Sequence, residues 1–103
     1  MIRHIVALRF KSGISAADKD AIYVDLQRLS GHIEGILGFH AGPNVSVELP
    51  VVRGFNDVFW FDFRDVAVRD VYLADPVHQA IGGRIVAATE GGIDGVFVFD
   101  VAV

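Results

Sequence analysis

Ile2, His4, Val6, Leu8 and Phe10 alternate with Arg3, Ile5, Ala7 and Arg9. This period of two predicts a first strand over 2–10. One face is apolar apart from His4. The other is apolar in its middle and charged at its ends, which suits a face partly covered by another chain. Lys11-Ser12-Gly13 makes the turn out. Ser15 is a good helix N-cap, and Asp18 completes an acidic variant of the capping box. Ile22, Leu26, Leu29 and Ile33 then fall on one helical stripe, so a helix is expected to about Leu29, ended by Ser30-Gly31.

The segment 36–47 reads as a second strand, made irregular by Gly38, Gly42 and Pro43, with a bulge or bend expected. A loop over 48–54 contains Pro50. A third strand follows over 56–63, with Val58, Trp60 and Asp62 on one face and Asp57, Phe59, Phe61 and Phe63 on the other. Aromatic side chains on both faces imply that both contact something. Asp65 caps a second helix over 66–73, which Asp75-Pro76 stops, because the residue before proline avoids the helical region. A further helix is expected over 77–89, weakened at Gly82-Gly83. After a Gly-rich turn, 95–103 is a last strand, apolar on both faces except for Asp100.

The order strand, helix, strand, strand, helix, strand predicts an α+β, ferredoxin-like fold. Its four-stranded antiparallel sheet carries helices on one face only. The bare face would expose Ile5, Ala7 and half of the last strand in a monomer. A homodimer pressing two sheets together would bury them.

The chain's 103 residues make one domain, residues 1–103, which hides roughly 65% of its extended surface on folding. An apolar fraction of 52% against 21% charged residues excludes disorder. No apolar run reaches the roughly 18 residues of a membrane span. Arg3, His4 and Arg9 interrupt the first apolar stretch, so no signal segment is expected. The chain has no cysteine, which removes disulfides, thiolate metal sites and cysteine nucleophiles. A net charge of −4 with no basic block argues against nucleic acid as a partner. The expectation is a soluble cytoplasmic domain, with no membrane partner and an idle glycosylation pattern at Asn44-Val45-Ser46.

No pair of candidate ligands shows metal spacing, and Glu90 to Asp94 is a turn, not a calcium loop. The paired glycines are not a dinucleotide fingerprint. Neither metal nor organic cofactor is therefore expected. The phenylalanines and Trp60 read as core and dimer packing, not as a base-stacking platform.

Several stretches resemble the stress-responsive dimeric A/B barrel domain family: Ile2-Arg3-His4-Ile5-Val6 with Phe10-Lys11, then Gly42 and Asn44-Val45-Ser46, then Tyr72-Leu73-Ala74-Asp75-Pro76-Val77-His78-Gln79, and the closing Val98-Phe99-Asp100. The resemblance spans essentially the whole chain, and Tyr72 to His78 is its most specific piece. It implies a homodimer whose sheets form a barrel, with a small-molecule pocket in each subunit between sheet and helices. One plant branch of the family closes polyketide chains by aldol condensation, using a tyrosine and a histidine without metal or organic cofactor. Tyr72 and His78 fall on those positions and His4 on a third pocket position. Leu26 stands where that branch has a second pocket tyrosine, and Asp57 where it has another histidine. A pocket of different shape and charge is implied. The residues expected to bind substrate are His4, Asp100, Leu8, Ile22, Leu26 and Phe59.

A neutral histidine suits proton removal at neutral pH, so His78 is the candidate base. The alternative is a helix-capping role. The Tyr72 phenol is suited to stabilise an enolate. Its alternative is an amphipathic core position. His4 is either a substrate-orienting group or a satisfied core histidine, and Asp100 is its candidate partner, since an unpaired buried carboxylate is costly. Three functions follow: a cofactor-free enzyme acting on a small carbonyl compound, a binding protein without turnover, or a dimerisation module with a self-filled pocket.

Overall fold

The computed structural model describes residues 1–103. Strand β1 runs Ile2–Leu8. Helix α1 covers Ala16–Arg28 and continues into a 3₁₀ turn, Leu29–Gly31. Strand β2 is Ile36–Pro43, a short helix α2 is Leu49–Val52, and β3 is Asp57–Phe63. Helices α3, Val66–Ala74, and α4, Pro76–Ala88, precede β4, Val96–Ala102. The sheet is four-stranded, in the order β2-β3-β1-β4 with antiparallel pairs throughout. This is the ferredoxin-like arrangement expected.

Local chemistry sets the element ends. Ser15 Oγ accepts the Asp18 N–H at 3.1 Å, and Asp65 Oδ1 accepts that of Val68 at 3.0 Å. Strand β2 shifts register between Ile36 and Gly38, within the stretch where the glycines predict a bulge. It ends at Pro43, earlier than the sequence pattern suggests. Asn44 accepts the Ser46 N–H at 2.9 Å, and the Ser46 hydroxyl accepts that of Glu48 at 3.2 Å. These side-chain turns take the backbone out of the ladder. Within the expected loop, Pro50 near the start of α2 has a φ that suits a helical turn. The last long helix runs through Gly82-Gly83 without a break.

The core lies between the sheet and the long helices. Val6, Leu8, Phe59, Phe61 and Phe63 meet Ile22, Leu26, Leu29, Ile33, Val68, Tyr72, Ile81 and Ile85. The predicted α1 stripe is thus buried throughout. The opposite sheet face carries no long helix, only the short α2 beside it. There Ile5 pairs with Trp60 and Phe99, Ala7 with Val58 and Phe97, and Arg3 Nε donates to Asp62 Oδ1 at 2.8 Å. Phe97, Phe99 and Val101 remain exposed.

Candidate functional site

Register brings the first two functional side chains together. Residues directly opposite in an antiparallel pair share a face. His4 lies opposite Asp100, so both point toward the helices, a relationship the sequence left open. His4 Nδ1 and Asp100 Oδ1 are 2.7 Å apart. The other Asp100 oxygen accepts from Arg69 Nη1 at 3.3 Å. Arg69 sits on α3 one turn before Tyr72, and i,i+3 residues are neighbours on a helix surface.

The break between α3 and α4 brings the second pair together. Tyr72 lies in the last turn of one helix and His78 in the first turn of the next. Asp75 holds the corner: its Oδ1 accepts the N–H groups of Val77 at 2.9 Å and His78 at 3.1 Å. Its Oδ2 lies 2.8 Å from His32 Nε2. The Tyr72 and His78 ring centroids are then 3.8 Å apart. His4 packs edge-on to Tyr72 at 5.4 Å, so the three rings form one cluster.

Burial lowers the His78 pKa, and the neighbouring His4 lowers it further. The nearby Tyr72 carbonyl and Asp75 pull it back only in part. His78 is therefore neutral at pH 7. Its Nδ1 is buried without a well-aligned hydrogen-bond partner. Burial pushes the Tyr72 phenol far above its ordinary range, so it stays protonated and able to donate. Burial also raises the Asp75 carboxyl, but the His78 backbone N–H and His32 outweigh this and hold it below the usual carboxylate range.

The other expected binding residues lie in the core. Leu8 is 0%, Leu26 1%, Phe59 2% and Ile22 5% exposed. Between sheet and helices these side chains form one buried cluster with Phe61, Phe63 and Tyr72. A cavity of about 610 Å³ opens instead on the bare sheet face, lined by Ile5, Ala7, Val58, Phe97 and Phe99 with α2 beside them. Asp57 is held by Lys19 at 3.0 Å. No three His, Asp or Glu side chains converge as a metal-holding group. No helix is long and apolar enough to cross a membrane.

Sequence reasoning missed Arg69, His32 and the capping role of Asp75. Only the last had a local signal: Asp followed by Pro is an N-cap and first-turn pattern as well as a stop.

The family model for the stress responsive A/B barrel domain matches residues 2–103. The chain belongs to this family. Among A/B barrel relatives, the stress-response A/B barrel domain-containing protein HS1 of Arabidopsis thaliana is 26% identical over 99 residues, covering 96% of this chain and 86% of HS1. A dimeric ferredoxin-like protein of Jannaschia sp. CCS1 superposes with a TM-score of 0.89 at 29% identity, covering 99% of this chain and 98% of the other. Hydroxynitrile lyase of Passiflora edulis superposes with a TM-score of 0.82 at 21% identity, covering 99% and 92%, a likeness of fold.

Proposed function

We propose that this A/B barrel protein works as a homodimer closed through its bare sheet faces. Each subunit binds a small carbonyl compound at Tyr72, His78 and His4 and removes a proton from the carbon beside the carbonyl. The carrying observation is the Tyr72–His78 ring contact at 3.8 Å, which sets a neutral base beside a protonated donor. The dimeric Jannaschia relative supports the assembly, as does the uncovered apolar face, which a second copy would bury. The resemblance to the polyketide-closing branch supports the chemistry at the two matching positions.

His78 takes the α-proton. The Tyr72 hydroxyl donates a hydrogen bond to the carbonyl oxygen as it becomes an enolate. The enolate carbon then attacks a second carbonyl of the same molecule, or regains a proton. The imidazolium of His78 returns its proton to the product, so the protein ends unchanged. No metal or organic cofactor enters these steps.

The test is proton exchange of phenylacetone in D₂O, followed by proton NMR. The protein should accelerate loss of the α-proton signals. His78→Ala should return exchange to background while melting temperature and dimer mass stay near wild type. Wild-type exchange at the background rate would refute the catalytic reading.

The close packing around Tyr72 favours a second reading, a dimerisation module whose pocket is filled by its own side chains. In that case no hydrophobic ligand raises the melting temperature by mass action, and His78→Ala lowers stability markedly.

A further inference from the structure

Two histidines share this cluster, and their second nitrogens are treated differently. His78 Nδ1 is buried with no well-aligned partner. His4 Nδ1 faces a carboxylate oxygen at 2.7 Å. A carboxylate accepts and does not donate, so the proton of this hydrogen bond sits on His4 Nδ1. In the neutral ring this leaves the Nε2 lone pair bare. His4 Nε2 has no hydrogen bond within the protein, yet it is not among the sealed, partnerless polar atoms, which are Arg9 Nε, the Tyr23 hydroxyl, Trp60 Nε1 and His78 Nδ1. His4 therefore keeps an accessible edge at Nε2 although the residue is only 4% exposed.

Asp100 is itself fixed. Arg69 Nη1 reaches its second oxygen at 3.3 Å, while Arg69 Nη2 bonds Asp70 Oδ1 at 3.0 Å. The guanidinium is thus shared between two carboxylates, and it holds Asp100 from the side opposite His4's hydrogen bond.

We propose that His4 is a second proton-accepting residue of this site, with Asp100 and Arg69 as the positioning residues that fix its Nδ1–H tautomer. This rests on the reading of the site as a proton-transfer centre. A ligand O–H or C–H gives its proton to His4 Nε2. The resulting imidazolium keeps its Nδ1–H bond to Asp100, whose negative charge offsets the new positive one. The proton leaves Nε2 again for the product. A carboxylate in this position orients the ring and stabilises the imidazolium without taking the proton itself.

The decisive experiment is a nitrogen-15 correlation spectrum of the imidazoles at pH 7.5, with His4 assigned through His4→Gln. His4 should show a protonated Nδ1 and a lone-pair Nε2. Asp100→Asn, whose amide can donate to Nδ1, should reverse this pattern. Phenylacetone exchange by the same variant should lose about 10²- to 10⁴-fold in kcat with KM nearly unchanged, and Arg69→Gln should lose less. A wild-type His4 with its proton on Nε2 would overturn the proposal and leave the Tyr72–His78 reading intact. So would an Asp100→Asn variant that exchanges at the wild-type rate. An inactive wild type with the expected tautomer and its reversal would refute the reaction while upholding the control of His4 by Asp100.

Discussion

The Asp75 carboxylate caps the helix that carries His78, accepting the His78 backbone N–H at 3.1 Å. The same side chain reaches His32 across the α3–α4 corner at 2.8 Å. One residue thereby ends α3, starts α4 and fixes where the His78 ring meets Tyr72. Asp75→Ala should lower the melting temperature by roughly 4–8 °C, and Asp75→Asn, which still caps, should lose much less. The effect depends on pH in a definite sense. The folded carboxyl lies below the usual carboxylate range. Its stabilisation is complete above about pH 4 and disappears as pH falls through the folded value. Melting curves of wild type and Asp75→Asn should therefore converge toward acid. A constant gap would count against the capping account.

His78 carries a linkage of the same sign in a higher pH window. Its folded pKa is below that of the unfolded chain, chiefly through burial. Between the folded value and about 6.5 the unfolded chain binds the proton and the folded one does not. Wild-type stability should thus fall as pH drops below about 6.5, relative to His78→Gln, which lacks the titration. The same shift should keep phenylacetone exchange active below pH 6.5. Parallel melting profiles, or an acidic limb of kcat/KM above that value, would contradict this.

What the sequence made legible was local. Ser15, Asp65 and the α1 stripe depend on spacings of a few residues, and these expectations match the structure. The facing of Asp100 was not legible, because it depends on the register between β1 and β4, residues far apart in the chain. Arg69 went unseen for the same reason: its carboxylate partner lies on another element. The early end of β2 was missed because Asn44 and Ser46 satisfy their own turn. An apolar periodicity does not register that competition. The pattern also marked Leu8 and Leu26 as inward-facing without saying whether they border a space or fill it.

Leu26 tests that point. It is 1% exposed and packs in the core cluster with Phe59 and Tyr72. Leu26→Tyr, which restores the residue type of the resembled branch, inserts a ring into filled space. It should cost about 1–3 kcal/mol. Leu26→Ala should cost about 2–5 kcal/mol through the cavity it leaves. Urea unfolding of both variants measures these values. A Leu26→Tyr protein as stable as wild type would mean that the space between α1 and the sheet opens readily, and would favour ligand entry there.

The bare sheet face is where the proposed dimer would close. Ala7 lies at its centre, opposite Val58 on one neighbouring strand and Phe97 on the other. A carboxylate placed there would be desolvated between two apolar sheets; Arg9 on this face already donates to the Arg53 and Asp94 carbonyls, and Arg53 lines the cavity. Arg3, on the same face, is already taken by Asp62 at 2.8 Å. Burying an unpaired charge costs several kcal/mol, and closing two copies through this face would bury one introduced carboxylate from each. Ala7→Glu should therefore shift the protein from dimer to monomer or aggregate in light scattering after size exclusion. The ferredoxin-like core should survive in the monomer, because Ala7 points away from it. A folded Ala7→Glu dimer of wild-type affinity would place the subunit contact elsewhere and leave the cavity beside Phe97 and Phe99 open to solvent.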